Sequence, residues 1–266
     1  MEAISAVSPY RRIYLANVRR RERMIVLARW AILILFLAVW ELSTRIGWLD
    51  PFITSSPSRV AMTIARLWKG GELFSHIGVT LFETVAGFVL GTLLGTIIAA
   101  LLWWSETACR ILDPYLVVLN ALPKIALGPI LIVWIGAGIG SIIVMALLVS
   151  LVVTIVTVLT GFCDTTDEKQ LLMRTLGATK LQIFRLVVLP ASIPTIVAAL
   201  KISVSMSWVG VIVGEYLVSK AGLGFLIVYG GQVFKLDLVM ASIVILCILA
   251  ALMYYGVAFI EKRLVK

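Results

Sequence analysis

The chain has 266 residues, of which 61% are hydrophobic and 14% charged, whereas about 25% are charged in a soluble domain, so a water-soluble fold is excluded from the outset. Its net charge of +9 is that of a membrane protein recording orientation and lipid contact, and nucleic-acid binding is set aside. Cys109, Cys163 and Cys247 have no paired or metal-like spacing, which argues against a disulfide framework and for reduced thiols or small apolar residues.

The first 24 residues form a basic arm rich in arginine, with no apolar run of the kind a secretory signal requires. Six windows then have the roughly 20 apolar residues that a transmembrane helix needs. They cover roughly 25–47, 76–104, 114–136, 139–162, 190–218 and 238–260. The third and fourth are parted only by the glycine-rich turn Gly136–Gly140, and Pro123 and Pro129 should break the third. An even number of spans places both termini on one side. With that side inside, fifteen of the 23 Lys and Arg are cytoplasmic or at the inner boundary, including Arg11, Arg12, Arg110, Lys169, Arg174, Lys180, Arg185 and Lys266. Six fall outside: Arg45, Arg59, Arg66, Lys69, Lys220 and Lys235. Cytoplasmic flanks collect Lys and Arg, so both termini are predicted to be cytoplasmic.

Between the first two windows, Pro51, Pro57 and a serine-rich turn lead into Val60, Ile64, Leu67 and Trp68 at helical spacing. A short amphipathic helix on the outer surface is predicted there, covering the ends of spans. The cytoplasmic segment 164–189 is long for a turn. Asp164 or Thr165 is placed to cap a helix, with Asp167 and Glu168 at its positive end and Leu171, Leu172 and Leu176 on one side. Gly177 should stop that helix in a left-handed conformation. A second short helix from about Thr179 carries Leu181, Phe184, Val187 and Val188 at spacings of three and four, and Pro190 suits the first turn of the fifth span. Such a two-helix hook, predicted to turn Leu181 and Phe184 outward, must bury its apolar face. Its own bundle and a groove on another protein are both open as the partner.

The spacing of Gly177, nine residues, Val187, one residue, Leu189-Pro190 resembles the "EAA-x3-G-x9-I-x-LP" loop of ABC-importer permeases. Leu171, Leu172 and Met173 stand where Glu-Ala-Ala would be, which implies docking by apolar contact more than by charge. Four further stretches are similar to permeases of the nitrate/sulfonate/taurine type: "FITSSPSRV", "TLFETVAGFVLGTLLG", "LDPYLVVLNALPKIALGPILIVWIGAG" and "GEYLVSKAGLGFLI". The resemblance implies an all-α membrane protein with six transmembrane helices and a cytoplasmic coupling hook, of the type I importer kind. A single permease domain would run over 25–266, with 164–189 as its coupling segment. Leu172, Leu176, Gly177, Ala178, Leu181, Phe184, Leu189 and Pro190 would meet a cytoplasmic ATPase. An extracytoplasmic substrate-binding protein and a second permease copy are the other implied partners, in a bacterial plasma membrane. ATP and magnesium would sit in the ATPase, with no cofactor in this chain.

Ionisable groups inside hydrocarbon are functional candidates by default. Glu83, Lys124, Lys201 and Glu215 are four of these. Lys124, at the broken third span, together with Lys201 and Glu215, is the candidate substrate path for a small anion. Against this, either lysine could snorkel to the inner interface, and the two glutamates could pair within the bundle. Gly87, Gly91 and Gly95 form a stripe for close helix packing, within the subunit or across a dimer. Trp48, Trp103 and Trp104 read as interfacial anchors, and the lone His76 as interfacial rather than metal-binding.

No "GxxxxGK[ST]" phosphate loop is present, so this chain does not bind ATP by that route. One histidine and no triad or carboxylate/histidine constellation argue against a membrane enzyme. The reading is a permease subunit of an ATP-driven importer for a small anionic solute. A stand-alone secondary transporter or channel is the alternative, and it would need no cytoplasmic hook.

Overall fold

The computed structural model describes residues 9–165 and 167–264. Residues 1–8 of the basic arm, the side chains of Arg11 and Arg12, and Lys266 lie outside the described residues. Every regular element among the described residues is a helix. The chain divides into two units, one ending at Thr63 and one beginning at Ile64.

In the first unit, α1 (Pro9–Ile46) is a single helix that takes up the basic arm and the first apolar window together. Short α2 (Pro51–Thr54) starts at a proline, and its N-cap Asp50 accepts the Phe52 N–H at 2.8 Å. The start of α3 (Pro57–Lys69) is fixed to α1 by Glu41, whose carboxylate accepts the Ser58 N–H and hydroxyl at 3.1 and 3.0 Å and pairs with Arg45 at 2.8 Å. The predicted amphipathic helix is therefore α3. Its latter half belongs to the second unit, where Ile64 and Leu67 pack with Leu73, Leu223 and Leu226, while Trp68 stays exposed against Phe74.

The second unit continues with α4 (Glu72–Trp104), α5 (Glu106–Ala121), α6 (Gly128–Ile135), α7 (Ile139–Cys163), α8 (Asp167–Thr175), α9 (Lys180–Ile183), α10 (Leu189–Val218), α11 (Leu223–Gln232) and α12 (Leu236–Leu264). Helices α4, α7 and α10 form its centre. Hydrocarbon offers helices no hydrophobic gain on association, so contact depends on close approach of backbones and on polar side chains that find partners. The glycine stripe supplies the approach. A Cβ on Gly87 would lie 2.5 Å from the Ala146 Cβ, one on Gly95 would lie 2.8 Å from the Thr154 Cβ, and one on Gly91 would overlap the Ser150 hydroxyl. The stripe thus packs within the subunit, against α7. From the other side, Gly210 of α10 meets the α7 backbone itself, where a Cβ would stand 2.5 Å from the Ala146 Cα. Three buried hydroxyls of this seam are satisfied locally: Thr84 donates to the Thr80 carbonyl, Ser150 to Ala146 and Thr154 to Ser150. Thr154 and Ser203 then join α7 to α10 at 2.6 Å.

The third window is not a straight span. Helix α5 starts at Glu106, directly after Ser105, whose hydroxyl caps it by accepting the Ala108 N–H. It ends at Ala121 before Pro123, passes through a 3₁₀ turn over Lys124–Leu127, and resumes as α6 at a bend of 85°. Pro123 makes the break, because Leu122 before it is forced into extended backbone. Pro129 sits in the first turn of α6, where its missing N–H costs nothing, so it starts the new helix and breaks none. Among the described residues, five helices are long and apolar enough to cross a membrane, or six with this bent pair.

The Gly210 contact is against backbone, so nothing flexible is available to give way. Gly210→Ala should lower stability by about 1–3 kcal/mol by overpacking. At Gly256 in α12 an added Cβ meets nothing within 4 Å, so Gly256→Ala should leave the melting temperature of the detergent-purified protein unchanged. Equal melting temperatures for the two variants would contradict the close-approach account.

Candidate functional site: the two-helix hook and the intramembrane charges

Helix α8 begins at Asp167, later than predicted. Asp164 instead terminates α7, giving its N–H to the Thr160 carbonyl, so neither it nor Thr165 caps the hook. The exit is as predicted: Gly177 has φ +79°, its N–H donates to the Arg174 carbonyl, and the Ala178 N–H donates to Met173. These are the two crossed hydrogen bonds of a Schellman turn, with Met173 and Ala178 packed on the same apolar cluster. Thr179 then caps α9 with a reciprocal box: its hydroxyl accepts the Gln182 N–H and the Gln182 side chain accepts the Thr179 N–H at 2.8 Å. The Thr-x-x-Gln spacing is the sequence signal for this box, and it fixes the start of the second hook helix more firmly than its apolar positions do.

The second hook helix does not stop before the membrane. It runs into α10 through a π-helical turn over Phe184–Val188, giving one continuous helical stretch from Lys180 to Val218. Pro190 explains the wide turn. Lacking an N–H, it leaves the carbonyl four residues back without its usual donor, and the Leu189 N–H bonds to the Phe184 carbonyl instead.

The faces of the hook also differ from expectation. Phe184 points inward: its ring lies 5.0 Å from Trp103 and 5.4 Å from Phe162, within a cluster that includes buried Ile183 and Val188. Phe184 and Val188, four residues apart, share the inward face, while Leu181 lies on the outward one. Outward lie Leu172, Leu176 at 73% exposure, Leu181 at 51%, Leu186 and Leu189. Lys180 ties the hook to the membrane unit by donating to the Trp104 carbonyl at 2.6 Å, with its ammonium 5.6 Å above the Trp103 ring. Trp103 and Trp104 are thus hook supports as well as end-of-span residues. Beside them a cavity of about 240 Å³ is lined by Trp103, Glu106, Gln170, Arg174 and Lys180.

The three candidate path residues are not brought together. Lys124 stands at the bend and donates to the Asn120 carbonyl at 3.1 Å, satisfying an end of α5. Lys201 pairs with Glu261 of α12 at 2.5 Å. Glu215 is 1% exposed and takes hydrogen bonds from Thr80 at 2.6 Å and from the Gly224 N–H at 2.5 Å. Its neighbour is Glu83, 0% exposed. His76 accepts the Gly222 N–H at 3.0 Å and stacks on Phe225, so it holds the loop after α10.

A family model described as the binding-protein-dependent transport system inner membrane component matches residues 91–266. A probable ABC transporter permease protein of Haemophilus influenzae is 31% identical over 230 residues, covering 86% of this chain and 93% of that protein. A formylaminopyrimidine transport permease protein of Halalkalibacterium halodurans is 32% identical over 193 residues, 72% of this chain and 76% of that one. A putative aliphatic sulfonates transport permease protein of Bacillus subtilis is 27% identical over 230 residues, 86% and 83% respectively. In fold, the chain resembles the inward-facing MetNI methionine ABC transporter with a TM-score of 0.65 at 21% identity, covering 72% of this chain and 95% of that chain. The helical architecture and the family match agree, and the chain belongs to the binding-protein-dependent transport system inner membrane components, the multi-pass permease subunits of ABC importers.

Proposed function

We propose that this chain is the permease of an importer for a small anionic solute, driven by separate ATPase subunits that dock on the hook. The observation that carries the docking role is a rigid turn displaying unpartnered apolar side chains. The Schellman turn and capping box fix the two helices, while Leu172, Leu176 and Leu181 remain exposed in a segment predicted to be cytoplasmic. Apolar side chains held out on a fixed frame suit a groove on another protein. A channel or secondary transporter would leave this frame without a use.

In this reading ATP and magnesium bind to the ATPase pair, and closure of that pair pushes both hooks of a permease dimer. A second copy is inferred because α5 exposes Ile111, Tyr115, Val118 and Leu119, and because a single copy has few spans to surround a path. An extracytoplasmic binding protein would deliver the solute to the face opposite the hook. The excess of cytoplasmic Lys and Arg supports cytoplasmic termini, with Lys180 in the hook among those cations. The anionic class draws on the sulfonate permease among the relatives and on Lys124, an intramembrane cation with no acidic partner among the described residues.

Two experiments test these roles. Leu176→Asp and Leu181→Asp change exposed side chains only, so the permease should elute normally in gel filtration while a detergent pull-down with its ATPase loses at least tenfold in recovery. Gly177→Asn should retain the partner because Asn tolerates φ > 0, whereas Gly177→Val should not. Full recovery with both aspartate variants would remove the hook from the interface. For the solute, Lys124→Ala should lower uptake of the anion several-fold in vesicles with the complex intact. Unchanged uptake would take Lys124 out of the path.

A further inference from the structure

Two carboxyl groups meet in the interior of this membrane unit with no cation between them. Glu83 on α4 and Glu215 on α10 are 0% and 1% exposed, and Thr80, one turn before Glu83 on α4, hydrogen-bonds the Glu215 carboxyl at 2.6 Å. Their hydrogen-bond environments differ sharply. Glu215 receives the Thr80 hydroxyl on Oε1 and the Gly224 N–H on Oε2. The Thr80 hydroxyl in turn accepts the Leu223 N–H at 2.8 Å, so its single proton is committed to Glu215. Among the described residues, no donor gives a hydrogen bond to either oxygen of Glu83.

The surroundings offer no other compensation. From α7, Ile142, Met145 and Ala146 meet the adjoining glycines Gly214, Gly210 and Gly87, and from α12 Leu238 and Ile245 share a cluster with Leu223, none of them titratable. On α4 the next titratable groups are His76, two turns away and engaged with the Gly222 N–H, and Glu72 beyond it. On α10 the Tyr216 phenol is adjacent to Glu215, and α11 presents Leu223 and Leu226. Both lysines within the spans are engaged elsewhere, Lys124 with Asn120 and Lys201 with Glu261. Two ionised carboxylates in such a place would repel at low dielectric, and an isolated buried ion is strongly disfavoured.

We propose that Glu83 and Glu215 form a proton-binding site, a carboxylic acid on Glu83 donating to the carboxylate of Glu215. Glu215 is the ionised member because it already holds two donors. Glu83 is the acid because its oxygens take no hydrogen bond from the described residues, so a proton of its own supplies the bond to Glu215. The shared proton closes a hydrogen-bonded path from the α4 helix through Glu215 to the backbone of Gly224, and so fastens the start of α11 to the central bundle. Loss of that proton would leave two buried negative charges facing each other and undo the fastening. This site is independent of the ATPase reading and of the nature of the solute.

Infrared spectroscopy of the full chain in nanodiscs at pH 7 reads the proton directly, through the carbonyl stretch of a protonated carboxylic acid. The wild type should show this band and a melting temperature that falls toward alkaline pH. Glu83→Gln should lose the band, keep the neutral-pH melting temperature through its amide donor, and lose the alkaline fall. Glu215→Gln should retain the band, because Glu83 remains a buried acid without a charge partner. Should Glu83→Gln fail to accumulate, the wild type and Glu215→Gln still decide. No protonated band in the wild type, a band that survives Glu83→Gln, or one that disappears in Glu215→Gln would each overturn the proposal.

Discussion

Backbone-to-backbone approach between α4, α7 and α10 is the constraint on which the rest of this protein depends. In lipid, Leu against Leu gains little over Leu against an acyl chain, so a bundle holds only where side chains are small enough for many weak contacts at short range. Gly87, Gly91 and Gly95 give α7 that access from one side and Gly210 and Gly214 from the other. The polar residues along the same seam are a consequence of it. Ser150 and Thr154 are short enough to sit in the contact, bond their own helix, and in the case of Thr154 reach Ser203 across it. A larger residue at any of these places would separate helices and leave hydroxyls unpaired at once.

Around that rigid centre two apolar spans depart from regular α-helix, and each departure has a proline as its cause. At Leu122-Pro123 the chain bends by 85° between α5 and α6, and the freed carbonyl of Asn120 is satisfied by the Lys124 ammonium. Irregular backbone at membrane depth is stable only where such partners exist. At Pro190 the helix does not bend away but widens into a π turn, with Ser192 donating to both the Val188 and Gly161 carbonyls beside it. One proline therefore makes a joint, and the other preserves a continuous rod.

Much of this was legible in the sequence because it depends on local rules. Apolar windows, the Gly177 stop, the amphipathic α3 and the break before Pro123 each arise from a few neighbouring residues. The features that escaped depend on residues far apart in the chain. The facing of Phe184 required knowing that Trp103 and Phe162 would receive the ring. The start of α8 was misplaced because Asp164 serves equally well as the end of one helix and the start of the next. The third window was correctly expected to be broken, yet nothing in the pattern states an angle. Lys201 and Glu261 are sixty residues apart, and their pairing depends on the packing of α12 on α10. The same holds for Glu83 and Glu215, whose meeting depends on the glycine contacts that bring their helices together.

The continuity of Lys180–Val218 connects these regions mechanically. The hook, with its inward aromatic anchor, is one end of a helix whose other end carries Glu215. A hook joined to the membrane by a flexible loop would move alone, whereas a stiff helix passes displacement along its axis. Between the two ends α10 is held by its close contact with α7 at Gly210 and by the Thr154–Ser203 bond, so a load on the hook is shared with the central bundle. The residues that resist such a load are not those exposed on the hook. They are the small residues of the seam, which explains why the chain places glycine there at the expense of helix propensity.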